Sequence, residues 1–202
     1  MFALVEDGSI TKMLSGKRGI TLGSNQYSKA IFTLWTKDER EAIGIYEVVW
    51  DNSKKKDEEW YTNTNVSYAF AGGKVTASYG DATAKAHADT LFTAEDESNG
   101  LGTEGEVAAE GLKTIKIRNV KKQAAGILAE TDWYIVRKAD ADTAIPSAIT
   151  NHRAAVRTKC AQMETAITNA SNTAALETLY TYTRQEDGSV TRPLGELPTL
   201  EV

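Results

Sequence analysis

Residues 131–157 read TDWYIVRKADADTAIPSAITNHRAAVR, and this stretch decides how the second half of the chain is organised. Trp133, Tyr134 and Val136 mark a helix, a polar turn follows, and Pro146 stands where a long second helix begins. Proline suits a first helical turn, where its missing N–H costs nothing. The two segments therefore read as a helical hairpin with an aromatic and basic surface. Downstream, Ile149, His152, Val156, Cys160, Met163 and Ile167 recur at three- and four-residue steps and form one stripe running to about Asn169. Upstream, from residue 106, Leu112, Ile115 (or Ile117), Val120, Ala124, Ile127 and Leu128 follow the same steps. A short last helix spans residues 174–182.

The first half has a different texture. Residues 2–5 and 10–14 flank Asp7-Gly8, a dipeptide favoured where a hairpin needs positive φ. Residues 20–22 and 30–34 read as short strands. Thr36 and Glu39 are spaced as a capping box at the head of a helix over 36–43. IYEVVW at 45–50 is β-branched and aromatic, hence a strand. KKKDEE at 54–59 reads as a solvated charged turn. Residues 60–70 and 74–79 predict a hairpin about Gly72-Gly73, with Val66, Tyr68 and Phe70 on one face and Val75, Ala77 and Tyr79 sharing another. Residues 81–105 read as an Ala-rich helical piece and then a flexible loop, DESNGLGTEG, where the domain boundary is placed.

The predicted class is α+β: a β-rich N-terminal domain over 1–100, a helical domain over 106–182 and an extended tail over 183–202. Pro193 and Pro198 keep that tail out of a regular helix. EDGSITKML at 6–14 and EDGSVTRPL at 186–194 share six identical positions. This reads either as two hairpins with the same turn chemistry or as both chain ends building one β-layer.

Composition sets bounds. The 202 residues suffice for one domain or two small ones. With 41% hydrophobic residues the chain is not disordered, and a net charge of -5 argues against a nucleic-acid platform. The first residues carry Glu6 and Asp7 and no long apolar run, so they read as neither secretory signal nor membrane span. The sequons at Asn65 and Asn169 are accordingly read as chance matches. Cys160 is the single cysteine, so no disulfide forms within these residues.

The residues of a catalytic site are not evident. His152 and Cys160 lie eight positions apart on one helix, roughly 12 Å by helical rise, too far for a dyad. Both read as packed helix residues. GLGTEG at 100–105 has dinucleotide-fingerprint spacing, but DESN precedes it where a hydrophobic strand is required. Asp140 and Asp142 read as turn or capping residues, since no twelve-residue calcium loop follows. No enzyme, cofactor or metal is expected. Arg153 and Arg157, one turn apart, either clamp a partner's carboxylate or carbonyls or form a solvated basic face. Trp133 and Tyr134 are hairpin packing residues or partner contacts.

The segments LAETDWYIVRKAD at 128–140 and AIPSAITNHRAAVR at 144–157 resemble the C-terminal helical region of phage tail-fibre assembly proteins. The positions that carry the resemblance are Thr131, Asp132, Trp133, Arg137, Pro146, Arg153 and Arg157. His152 stands where that family commonly has an aromatic. The opening ALVEDGSIT is also similar to the start of many such proteins. The resemblance implies a non-enzymatic tail or tail-fibre assembly chaperone, or alternatively a structural component of the tail retained in the virion. It implies a tail-fibre or other tail protein as partner, with homo-oligomerisation allowed and neither nucleic acid nor membrane involved. The implied location is the host cytoplasm during assembly, or the virion tail. Trp133, Tyr134, Arg137, Arg153 and Arg157 are the candidate partner-binding residues.

Overall fold

The computed structural model describes residues 1–200 and divides into two compact units, Met1–Thr83 and the chain from Ala84 onward. The protein is α+β, with strands and hairpins concentrated in the first unit and the long helices in the second.

The first unit begins with β1 (Phe2–Glu6) and β2 (Ser9–Leu14), paired antiparallel around Asp7 and Gly8, both at positive φ (49° and 75°). Next come β3 (Ile20–Leu22) and β4 (Asn25–Tyr27), a second hairpin. Residues 30–34, expected as a strand, instead take part in a 3-10 turn, Lys29–Phe32. Ser28 caps that turn by accepting the Ala30 N–H, a local bond that diverts the chain from extension. Helix α1 (Lys37–Glu41) carries the full Thr36–Glu39 capping box. Strands β5 (Ile45–Asp51), β6 (Tyr61–Thr62), β7 (Ser67–Ala71) and β8 (Lys74–Ser78) complete the unit.

The main sheet runs β2-β1-β5-β8-β7, antiparallel except for the parallel β5–β8 pair. Edge strands β2 and β7 approach each other, so the sheet curls toward closure. One face holds Leu4, Leu14, Ile31, Phe32 and Ile45; the other holds Ala3, Val5, Val48, Val75 and Ala77, shielded by Ile10, Tyr46 and Phe70. In the β7–β8 register Phe70 lies opposite Val75 and Tyr68 opposite Ala77, so the two sets of alternating residues line the same side of the hairpin.

In the second unit, short strands Thr90–Leu91 and Val107–Ala109 pair around helix α2 (Ala94–Ser98). The Ala-rich helical piece expected between residue 81 and the DESN segment does not form over 81–91. Its carbonyls are used elsewhere: Leu112 N donates to Ala86 O (2.9 Å) and Lys113 N to His87 O (3.1 Å). The flexible loop expected over 96–105 is also corrected, because Thr93 and Asp96 make a capping box that starts α2. Gly102 has a local reason: a β-carbon there would fall 2.4 Å from the Phe92 ring.

Helices α3 (Leu112–Ala129), α4 (Asp132–Ala141), α5 (Ser147–Asn169) and α6 (Thr173–Tyr180) follow. α3 and α5 form the principal helix pair, and α6 packs on α5. All six stripe residues expected on α5 are buried. On α3 the buried line is Leu112, Lys116, Val120 and Ala124. Lys116 occupies an apolar position with its ammonium 4.6 Å from the centre of the Tyr180 ring. Thr183–Arg184 and Val190–Thr191 pair as a separate hairpin. The echoed sequences therefore form two separate hairpins whose turns differ. Asp7 and Gly8 are both at positive φ between Glu6 and Ser9, whereas in the second turn Gly188 is at positive φ and Asp187 is not, and Gln185 N donates to Ser189 O across a longer loop.

Candidate functional site at the α3–α4 corner

The chain changes direction between α3 and α4 at Glu130 and Thr131. A helix end leaves carbonyls without intrahelical donors, and a buried one needs partners. Here the Leu128 carbonyl accepts from Thr131 N (3.1 Å), Thr131 Oγ1 (3.0 Å) and Arg153 Nη1 (2.6 Å). Arg153 Nη1 also donates to Thr131 Oγ1 (2.7 Å), and Nη2 pairs with Asp132 Oδ1 at 2.8 Å. One guanidinium thus holds the last turn of α3, the corner and the first turn of α4. The Asp132 carboxylate at the head of α4 also suits the positive end of that helix.

This corrects the expectation that Arg153 reads a partner. Its side chain is only 8% exposed and engaged, while Asp132 is 58% exposed. Arg153 Nε is buried with no hydrogen-bond partner among the described residues. Arg157, one turn on, is exposed and makes no ion pair among the described residues. The buried margin of α5 therefore runs between the two arginines.

The corner leaves α4 standing outward. None of its ten residues is buried. Trp133 is 51%, Ile135 41% and Val136 65% exposed, an unusual concentration for one short helix. Trp133, Val136 and Arg137 lie on one side of α4 by helical spacing. The Trp133 and Tyr134 rings contact at 4.0 Å between centroids. The Arg137 guanidinium covers both, 4.5 Å from Trp133 and 5.3 Å from Tyr134. This stacking orders a large aromatic surface without burying it. The packed α4–α5 hairpin read from the sequence is not formed, since α5 pairs with α3 and α4 adds only a light contact to α3.

Three of the five candidate residues, Trp133, Tyr134 and Arg137, are thus brought together, Arg153 supports them from within, and Arg157 stands apart. Two groups that sequence reasoning missed support the same unit. Asp89 receives Gly111 N (2.7 Å) and Thr114 Oγ1 (2.8 Å) at the head of α3. Those bonds, the backbone one foremost, hold its carboxyl below the usual range. His87 Nε2 donates to the Ala170 carbonyl (2.9 Å), tying the same segment to the end of α5. Nothing local marked either one: Asp89 lies 22 residues before Gly111, and His87 lies 83 before Ala170.

His152 is buried on the α5 stripe, and Cys160 is buried with its thiol pushed up, first by desolvation and then by Glu164 (3.4 Å). A thiol so placed is a poor nucleophile. Among the described residues no helix is long and apolar enough to cross a membrane, and no cluster of three or more His, Cys, Asp or Glu could hold a metal. Comparison of the chain with protein-family models, with curated proteins and with solved structures gives no match.

Proposed function

We propose that this chain is a bacteriophage tail or tail-fibre assembly chaperone, a non-enzymatic protein that binds a fibre or tail protein during virion assembly in the host cytoplasm. The observation that carries the reading is the division of labour at the α3–α4 corner. Of the residues behind the family resemblance, Thr131, Asp132 and Arg153 bind one another, while Trp133 and Arg137 belong to an outward helix with no buried residue. A helix held firmly at its base and apolar on its surface suits transient capture of apolar surface on a folding partner. Trp and Arg are the side chains that concentrate binding energy at interfaces.

The test is co-expression of this chain with the fibre protein of the same phage. Soluble fibre trimer is expected with the chain, and loss of that effect with Trp133→Ala combined with Val136→Ser. Equal soluble trimer in the absence of the chain would overturn the reading. Mass spectrometry of purified virions separates the alternative: a stoichiometric amount there makes the chain a retained structural subunit.

A further inference from the structure

The chain is acidic overall, yet residues 8–37 contain no Asp or Glu and five cations, Lys12, Lys17, Arg18, Lys29 and Lys37. Removing those five from the net charge of -5 leaves -10 on the remaining residues. The segregation has a defined structure within the first unit. The turn Ser15-Gly16-Lys17-Arg18-Gly19 follows edge strand β2 and is pinned at both glycines. Gly16 sits at φ +73°, where a β-carbon would lie 3.1 Å from the Phe2 ring. At Gly19 a β-carbon would meet the Tyr27 carbonyl oxygen at 2.5 Å and the Lys29 nitrogen at 3.5 Å. Only glycine permits that approach, which brings the backbone of Lys29 against the turn that bears Lys17 and Arg18. Lys17 N donates to Ser15 Oγ (3.3 Å), closing the turn on itself.

Beside this turn lies a cavity of about 230 Å³ lined on one part by Lys12, Ser15 and Arg18 and on another by the apolar Leu14, Ile20 and Phe32. Lys12, Lys17, Arg18 and Lys29 are exposed and make no ion pair among the described residues, whereas Lys37 pairs with Glu41 at 3.7 Å. A lone lysine on an edge strand is a common guard against strand pairing. That accounts for Lys12 and leaves the three cations off the strand unexplained. The cavity is below the roughly 300 Å³ at which small-molecule sites begin. It therefore fits a charged side chain of a longer ligand better than a whole metabolite. Nucleic acid is disfavoured, because single strands need exposed aromatic platforms. The aromatics here are engaged in packing, Phe32 with Phe2 and Tyr27 with Trp35.

We propose that the Ser15–Gly19 turn with Lys12 and Lys29 is a docking site for an acidic peptide segment of a partner protein, whose Asp or Glu carboxylates enter the cavity beside Lys12 and Arg18. The site belongs to the first unit, and the proposal does not depend on the chaperone reading.

The test is an NMR titration of the full chain with hexaglutamate at low salt. Saturable shifts are expected at the Gly16, Lys17, Arg18 and Gly19 amides. Affinity should fall about tenfold or more in Lys17→Glu/Arg18→Glu, and collapse at about 0.5 M salt, where the screening length is only a few Å. Lys17→Gln/Arg18→Gln is the substitute if charge reversal disturbs folding, with the same direction and a smaller loss. Absence of saturable shifts, or shifts spread equally over Lys54, Lys55 and Lys121, overturns the proposal. So does inorganic phosphate binding as tightly as the peptide, or an oligothymidylate of equal charge binding more tightly at the same amides.

Discussion

Helices α4 and α5 belong to the same unit and are separated by only a few residues, yet they are built for opposite ends. α5 has 23 residues and buries Ile149, His152, Arg153, Val156, Cys160, Met163 and Ile167. α4 has ten residues and buries none. Most helical stability in proteins comes from packing one face, not from propensity. α5 therefore carries the unit, whereas α4 depends on what holds its base. Arg153 joins them: it is rooted in the α5 interior and bonded to the corner from which α4 departs. Load and exposure have been separated onto two neighbouring helices.

The contrast can be broken most forcefully at Met163, which is 1% exposed. Met163→Ala should cost about 2–5 kcal/mol in urea unfolding, the usual range for emptying a packed site. A change under about 1 kcal/mol would mean that the unit's stability does not rest on α5 packing. Arg153→Ala comes next, at about 1.5–3 kcal/mol for a charge-assisted bond to a partly buried carbonyl. Asp132→Asn should cost under about 1 kcal/mol, because that partner is largely solvated. Equal losses for the two would show that the ion pair, rather than the carbonyl, is what Arg153 serves.

Helices α3 and α4 also begin differently. α3 starts under the Asp89 carboxylate, whereas Thr131 makes no side-chain cap on α4. The folded-state pKa of Asp89 is depressed, chiefly by the Gly111 N–H and then by Thr114. Its contribution is accordingly complete above the unfolded value of about 3.9 and is lost as pH falls through the folded one. The destabilisation caused by Asp89→Asn, followed by thermal unfolding, should be present at neutral pH and shrink toward zero in acid. A penalty that stays constant across that range would contradict the assignment. Smallest of all, Val136→Ser on α4 should leave stability within about 0.5 kcal/mol. Its effect is expected in fibre-protein pull-down instead, and a large stability loss would place α4 with α5 as a packing element.

Several parts of this architecture were legible in the residue order. The α5 stripe was readable because its side chains recur from Ile149 to Ile167, about five turns, and Asp7-Gly8 and Gly72-Gly73 marked their hairpins through positive φ. Thr36 and Glu39 formed the capping box that their spacing predicts. Helix α2 escaped notice because five residues are too short to show a period, and the glycines after it looked like disorder. Lys116 broke the α3 pattern because its long stem lies along an apolar stripe while its ammonium reaches the Tyr180 ring. Trp133 and Tyr134 carried the aromatic signal of the candidate site, but their side chains alone did not say whether they faced inward or outward.

The sequence by itself determined what acts over a few residues: helical periods, caps, turns and the α+β order of the chain. Tertiary structure decided which of two arginines one turn apart is buried, why residues 85–89 stay out of a helix, and that β5 pairs in parallel with β8. The physical reason is the range of the interaction. Arg153 finds Thr131 across 22 residues and His87 finds Ala170 across 83. Local preference is silent about such partners, and only the packed chain brings the donor to its acceptor.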